Sequence, residues 1–263
     1  MPIAAAIISI VGDQGGLVTR TNVEGPRNVV NACLTTGVRK LVHFSSIHAF
    51  EQRPHDVTLD ETRANVEGPK HPAYDRSKAG GEAEIRAGIA RGLDAVIVNP
   101  TAVLGPYDFK LSRMGTVVLM LAKRQLPSLV GGGFDWVDVR DVAAGAIAAA
   151  EKGRTGEKYL LSGRWASVKE LAKVVQEVTG VKPPAFTSPM WLAKVGAPFM
   201  GLWAKATGTQ PLYTHEALHA LVSNRDIRHD KAAAELGYTA RPLVDTVRDS
   251  VAWFRSAGLL PPA

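Results

Sequence analysis

The chain has 263 residues, of which 46% are hydrophobic, so it can form one large folded domain with an appended smaller region and is not a disordered segment. The formal net charge is +6, but the basic residues are dispersed, so nucleic-acid binding is not expected. The single cysteine, Cys33, excludes an internal disulfide and falls on the apolar side of a predicted helix. No basic segment precedes the first apolar residues, and the best membrane-span candidate, residues 190–206, is interrupted by lysine and proline. We therefore expect a cytoplasmic protein.

The first apolar stretch, residues 3–10, is interpreted as the end of a strand and is followed by a loop with Gly12, Gly15 and Gly16. A dinucleotide-binding turn places spaced glycines between a full strand and a helix, so that the pyrophosphate meets the helix N-terminus. This loop has neither the spacing nor the strand. The sequence therefore favours an ordinary loop here.

Helical and strand patterns then alternate, as a parallel α/β sheet requires. The patterns predict helices over residues 27–34, 74–91, 114–125, 141–151 and 167–179, and strands over 41–45, 94–98 and 157–161. Asp138 and Asp141 are interpreted as helix caps, and Ser167 with Glu170 matches a capping box. From Val181 the chain is richer in proline and tryptophan. Further helices are predicted near 189–207, 213–222, 229–236 and 242–257.

The residues with the clearest chemistry follow the strand over 41–45, after which Ser46 comes directly. After a loop over residues 48–73, Tyr74 and Lys78 are four apart on a predicted helix and therefore share one face. An ammonium near a phenol favours the phenolate, so Lys78 is expected to lower the pKa of Tyr74. A serine hydroxyl at the strand end would hold a substrate oxygen beside that phenol. The alternative interpretation is a packed ring and a solvated charge.

The loop over residues 48–73 is long enough to suggest that it borders a site. It contains His48, His55 and His71, but their spacing lacks the short paired pattern of zinc ligands. We predict no metal site.

Four strings occur in order along the chain: VRKLVHFSS, YDRSK, NPTAVLGP and FDWVDVRDVA. Together they resemble the extended short-chain dehydrogenase/reductase (NAD-dependent epimerase/dehydratase) family, in its dihydroflavonol 4-reductase-like branch. The resemblance implies an α/β fold with an N-terminally truncated, doubly wound (Rossmann-type) parallel sheet and a smaller, mostly helical substrate region. Residues 1–163 would form an incomplete dinucleotide-binding core with substrate-region loops at 101–137, and residues 164–263 would mainly bind substrate.

The resemblance also implies roles for individual residues. Tyr74 would exchange a proton with the substrate, Lys78 would lower its pKa and contact the nicotinamide ribose, and Ser46 would orient the substrate oxygen. Asn22 matches an asparagine that opens a helix in the family and joins this catalytic set. Contacts to the cofactor, NAD or NADP, are expected from Ser45, Tyr74, Lys78, Asn99, Pro100 and Thr101.

In the resembled family, residues 3–10 correspond to the end of the fourth strand, and the glycine-rich turn comes earlier. We therefore expect residues 1–263 to bind a dinucleotide weakly and to expose a sheet edge that favours association, with a homodimer as one candidate assembly.

The expected activity is an NAD(P)-dependent oxidoreductase acting on a carbonyl or alcohol group of a small molecule. The substrate is expected to be apolar, because the last part of the chain is rich in Trp191, Phe199, Met200, Leu202 and Trp203. Two alternatives remain open: an NAD-dependent sugar-nucleotide epimerase/dehydratase, and a catalytically silent fragment of such an enzyme.

Overall fold

A computed structural model describes residues 1–192 and 214–262, which divide into two compact units. The strands are β1 (Pro2–Ile3), β2 (Leu41–Phe44), β3 (Ala95–Pro100), β4 (Ala102–Leu104), β5 (Leu129–Val130), β6 (Gly133–Asp138), β7 (Lys158–Leu161), β8 (Arg164–Ser167) and β9 (Thr187–Ser188). The helices are α1 (Leu17–Thr19), α2 (Gly25–Thr36), α3 (Ala73–Ala90), α4 (Arg113–Ala122), α5 (Val139–Lys152), α6 (Val168–Thr179), α7 (His215–Ala220), α8 (Asp230–Leu236) and α9 (Leu243–Ser256). A π-helical turn, Arg20–Glu24, joins α1 to α2, and a 3₁₀ turn, Ile47–Ala49, follows β2.

The first unit comprises Met1–Thr101, Asp141–Ser162 and Asp226–Thr239. Its sheet has the order β1-β2-β3-β7, and every neighbouring pair is parallel. The four residues from Ala95 to Val98 are completely buried, as in a strand covered on both faces.

Helices cover both faces of this sheet. Ile97 packs with Val30 of α2 and Ile85 of α3. Its neighbour Val96 points the other way, toward α5, where a Cβ on Gly153 would lie 3.1 Å from the valine side chain. The expected doubly wound, Rossmann-type parallel sheet is therefore confirmed.

Register places two polar residues on the α3 face. Ile97 pairs with Lys158, so Lys158 points in the same direction as Ile97, and so does Asn99 two residues further along β3. These side chains meet the face of α3 that carries the predicted site residues.

The second unit comprises Ala102–Arg140, Gly163–Arg225 and Ala240–Ala263, within the described ranges. It contains a three-stranded sheet, β4-β6-β8, and the pair β5-β9. Trp136, Leu171, Val247 and Phe254 belong to its core. The sequence interpretation did not identify these strands, of which β4, β5 and β9 have only two or three residues. The longer strands β6 and β8 approach closely at Gly133, where a Cβ would lie 2.4 Å from the carbonyl oxygen of Ala166.

Three further differences from the predicted elements are local. The strand expected over 3–10 is confined to Pro2–Ile3, and Ile8 is 64% exposed. Residues Asp226–Thr239, predicted to be in the substrate region, pack in the first unit, where Leu59 bridges to Ile227 and Tyr238 bonds Ser162. The helix predicted over 189–207 lies partly outside the described residues, as do Phe199, Met200, Leu202 and Trp203.

Cys33 is buried in the core of the first unit, as expected. Within residues 1–192 and 214–262, we find no helix with the length and apolar character that a membrane span needs.

The predicted capping box at the start of α6 is confirmed. The Ser167 hydroxyl accepts a hydrogen bond from Glu170 N, and the Glu170 carboxylate accepts one from Ser167 N. Ser167→Ala is expected to lower the free energy of unfolding by about 1 kcal/mol. Urea denaturation would measure this loss, and Ser167→Thr should recover most of it. Equal stability of the alanine variant and the wild type would contradict the assigned cap.

Candidate active site

One face of α3 carries the central residues of the candidate site. The helix begins at Ala73, directly after Pro72, whose fixed backbone suits a helix start. Tyr74, Lys78 and Glu82 follow at intervals of four residues and so lie above one another. Lys78 and Glu82 are buried, whereas Tyr74 is partly exposed.

Ser46 lies two residues after the end of β2, at the carboxyl edge of the parallel sheet. It has an extended backbone, and its hydroxyl accepts a hydrogen bond from His48 N at 3.2 Å, which starts the 3₁₀ turn. Its side chain also lies close enough to the Tyr74 side chain to lower the pKa of the phenol. The structure therefore brings the predicted serine and tyrosine together.

The expected lowering of the Tyr74 pKa by Lys78 is wrong for this arrangement. Burial raises the pKa of Tyr74 to about 12, and the charge of Asp75 adds to this, while the nearby Ser46 side chain opposes it. The phenol is therefore protonated at neutral pH.

The Lys78 ammonium donates a hydrogen bond to the carbonyl oxygen of Phe44, at the end of β2, over 2.7 Å. Burial lowers the pKa of Lys78 to about 8, and the charge of Glu82 partly opposes this shift. Lys78 is thus fixed at the carboxyl edge of the sheet and carries its charge at neutral pH.

Asn22 lies in the π-helical turn and contacts α3 through Ser77 rather than through Tyr74 itself. Its Nδ2 donates to Ser77 Oγ (2.9 Å) and to the carbonyl of Ile7 (2.9 Å), and its Oδ1 accepts from Ile7 N (2.8 Å). Ser77 in turn donates to the carbonyl of Tyr74 at 2.7 Å. These bonds tie the segment around Ile7 to the first turns of α3. Asn22 therefore acts on Tyr74 through its neighbours.

Asn22→Ala is expected to destabilise the protein by about 1–3 kcal/mol, because buried polar groups lose their partners. The amide of Ile7 should exchange its proton with solvent faster, which hydrogen-exchange mass spectrometry or NMR would detect. Asn22→Asp is the matched control, because it keeps the acceptor for Ile7 N but loses both donors. Unchanged protection of Ile7 in the alanine variant would contradict this role.

Two residues expected to contact a cofactor point instead into the protein. Ser45 Oγ donates to Glu82 Oε1 at 2.5 Å, and Asn99 Nδ2 donates to the same oxygen at 2.7 Å. Asn99 Nδ2 also bonds the carbonyl of Ser46 at 3.0 Å, while its buried Oδ1 has no partner among the described residues. The Ser45 hydroxyl and the Asn99 amide nitrogen thus both donate to groups inside the protein, whereas the Asn99 amide oxygen accepts no hydrogen bond among the described residues.

Pro100 and Thr101 end the same strand. Pro100 pairs with Leu161 of β7, and Thr101 N donates to the carbonyl of Leu161 at 3.4 Å. Both residues therefore lie at the carboxyl edge of the sheet, where ligands of open α/β sheets bind.

The sequence interpretation gave no catalytic or binding role to four residues at the site that have titratable side chains: His48, Asp75, Glu82 and Lys158. His48 Nδ1 lies 3.3 Å from the buried carboxylate of Asp75, and its ring packs edge-on against Tyr74, with ring centres 5.8 Å apart. Lys158 forms a buried ion pair with Glu82 over 2.6 Å. The four-residue spacing after Lys78 was a signal for Glu82, but no local pattern identifies Lys158.

The glycine-containing loop before α1 is held by bonds to Asp13. The Asp13 carboxylate accepts hydrogen bonds from the backbone N and the hydroxyl of Thr19, and the Asp13 carbonyl accepts from Gly16 N and Val18 N. The described residues contain no group of three or more His, Cys, Asp or Glu side chains that could hold a metal ion.

A parallel Rossmann-type sheet with Ser, Tyr and Lys at its carboxyl edge defines the class of this protein. The chain belongs to the NAD dependent epimerase/dehydratase family, whose model matches residues 4–162. This is an enzyme family that uses a nicotinamide dinucleotide, so the predicted class of enzyme is confirmed.

Individual relatives extend the similarity to nearly the whole chain. A Synechocystis sp. protein, provisionally named a dihydroflavonol 4-reductase, is 30% identical over 91% of this chain and 71% of its own length. Sterol demethylase protein B of Methylococcus capsulatus is 30% identical over 97% of this chain and 78% of its own length. The crystal structure of gox2253 is 34% identical, with a TM-score of 0.80 over 98% of this chain and 78% of that chain.

Proposed function

We propose that this protein is an NAD(P)H-dependent carbonyl reductase in which Tyr74 donates a proton to the substrate oxygen. The nearness of the Ser46 and Tyr74 side chains carries the proposal. A carbonyl oxygen that inserts between the two hydroxyls would accept a hydrogen bond from each. With a pKa of about 12, the phenol holds its proton at neutral pH, which suits a donor in the direction of reduction.

The nicotinamide end of the cofactor is assigned to Lys78, Tyr74 and the edge at Pro100 and Thr101. An ammonium has three N–H donors, and one of those on Lys78 binds Phe44, so others suit ribose hydroxyls. Bound NAD(P)H supplies the hydride. We also propose that dinucleotide binding is weak, because the amides of Gly16, Val18 and Thr19 in the glycine-containing segment bond Asp13 and so do not offer donors to a diphosphate.

An apolar, ring-containing ketone is the proposed substrate. The names of two relatives refer to a flavonoid and a sterol, which are both ring compounds. The second unit also presents aromatic rings to solvent. Phe109 is 85% exposed, stacks on Tyr107 at 6.5 Å and packs edge-on against Trp253 at 5.6 Å.

A sugar-nucleotide epimerase/dehydratase is the second candidate, and His48 with Asp75 favours it. Dehydration needs another acid or base beside the tyrosine, and this pair lies against the Tyr74 ring.

Titration calorimetry with NADPH and NADH, followed by turnover assays at high cofactor concentration, separates these functions. Consumption of NADPH or NADH with apolar ring ketones is expected. Conversion of nucleotide-sugars alone would favour the epimerase/dehydratase. Absence of any dinucleotide binding would instead indicate a catalytically silent protein.

We also propose a homodimer that covers the apolar side chains near β1, since Ile8 (64%), Val11 (57%) and Leu17 (41%) are exposed. Analytical ultracentrifugation would measure the dimer. Ile8→Lys should weaken it, and a monomeric wild type would contradict it.

A further inference from the structure

A buried carboxylate connects four separate segments beneath the candidate site. Glu82 is fully buried and accepts hydrogen bonds from Ser45 (2.5 Å), Asn99 (2.7 Å) and Asn65 (2.9 Å), besides its ion pair with Lys158 (2.6 Å). The partners lie just after β2, at the end of β3, in the long loop and at the start of β7. Glu82 therefore links α3 to β3, to β7, to the residue after β2 and to the long loop.

The surroundings of Glu82 keep its negative charge. Burial alone would raise the pKa of this carboxyl, but the charge of Lys158 and hydrogen bonds from Lys158, Ser45 and Asn65 together lower it. Lys158 also lies over the ring of Phe50, 4.2 Å from its centre. A charged pair is thus retained inside the protein, where most proteins place apolar side chains.

Two of these contacts reach Ser46. Asn99 Nδ2 bonds both the Glu82 carboxylate and the carbonyl of Ser46, and Ser45 is bonded to Glu82 directly. Glu82 therefore holds Ser45 directly, and through Asn99 it holds the carbonyl group of Ser46.

The charge of Glu82 also acts on Lys78, one helical turn earlier. Burial favours the neutral amine of Lys78, and the Glu82 carboxylate opposes this. From β2, His43 faces the same groups, but burial and the Lys78 charge lower its pKa to about 3, so it is neutral. Tyr74 is neutral as well. Glu82 therefore supplies the negative charge that stabilises the ammonium.

We propose that Glu82 is a positioning residue for the reaction, which fixes Ser46 through Ser45 and Asn99 and acts on Lys78 from one helical turn away. This inference deepens the proposed function and rests on it, because Ser46 and Lys78 are the groups that it serves. Glu82 itself touches neither substrate nor cofactor in this assignment.

The test follows the Lys78 side chain directly. Protein labelled with ¹³C-lysine is titrated with base, and the Cε resonance of Lys78 is identified by its loss in Lys78→Met. In Glu82→Gln, Lys78 should titrate about one pH unit lower than in the wild type, the usual scale for loss of an opposite charge. Glu84→Gln is the matched control, because Glu84 on the same helix pairs with Arg27 at the surface and should leave Lys78 unchanged.

Glu82→Gln leaves Lys158 buried without its ion-pair partner, and this can destabilise the folded protein. The double variant Glu82→Gln/Lys158→Met removes both charges and should give a folded protein in which Lys78 still titrates lower than in the wild type, although by less, because the loss of the Lys158 cation partly offsets the loss of the carboxylate. An unchanged Lys78 titration in the double variant would overturn the inference. Because this readout needs neither cofactor nor substrate, it is independent of the proposed activity. If turnover is found, kcat should fall in the double variant with KM nearly unchanged, and an unchanged kcat would count against positioning.

Discussion

Replacing Tyr74 by phenylalanine should lower kcat/KM for ketone reduction by about 100-fold or more, the usual scale for a positioned acid. The variant loses the hydroxyl near Ser46 but keeps the ring against which His48 packs. The free energy of unfolding should change by only about 1 kcal/mol, because one hydroxyl is removed and the ring packing is kept. Steady-state kinetics at high cofactor concentration, together with urea denaturation, measure both quantities.

Tyr159→Phe is the matched control for that experiment. The Tyr159 hydroxyl donates to Glu235 at 2.8 Å and accepts from Arg154 N at 3.1 Å, outside the candidate site. This variant should lose stability and keep kcat/KM. Turnover close to that of the wild type in Tyr74→Phe would exclude Tyr74 as the proton donor.

The same assay should show a dependence on pH that reports on Lys78. Its pKa of about 8 means that the ammonium is present below this pH and is lost as the pH rises through it. Reduction should therefore be faster at pH 7 than at pH 9, whereas Tyr74 keeps its proton over this range. A rate that rises between these two values would contradict a role for the ammonium.

Much of the site was predictable because its chemistry is local in sequence. The spacing of Tyr74 and Lys78 fixes both residues on one face of α3, and an apolar run ending in serine places Ser46 at a strand end. The alternation of helices and strands likewise predicts the parallel sheet.

The remaining contacts depend on register between distant segments. Lys158 meets Glu82 only because β7 pairs with β3 in the observed register, which no periodicity in either segment reveals. The same register turns Asn99 toward Glu82 instead of toward a ligand. The short strands of the second unit depend on similar long-range pairing.

The error in the Tyr74 pKa has a different cause. Sequence spacing identifies a neighbouring charge, but it does not reveal how much water the fold removes from the phenol. Here desolvation dominates and raises the pKa, although Lys78 lies one turn away on the same helix. Predictions of proton affinity from a motif therefore need the burial that only the fold supplies.

Lys158→Met is expected to destabilise the protein by about 3–5 kcal/mol, because it leaves the Glu82 carboxylate buried without its cation. Adding Glu82→Gln should recover most of this loss, since the glutamine oxygen still accepts from Ser45 and Asn99. Urea denaturation of the wild type and the single and double variants gives the coupling between the two positions. A double variant no more stable than Lys158→Met would show that the ion pair is not the cause.

The free energy of unfolding of Lys158→Met should also change with pH in a direction that the Glu82 pKa determines. In the wild type the pKa of Glu82 lies below its ordinary value of 4.5, so its stabilisation is present above that pH and is lost on acidification. Without Lys158, the desolvation of Glu82 loses its main opposing charge, and the folded pKa should rise above the unfolded one. Stability of Lys158→Met should then increase as the pH falls from about 7 to about 5, relative to the wild type. Parallel stability curves over this interval would contradict the assigned role of Lys158.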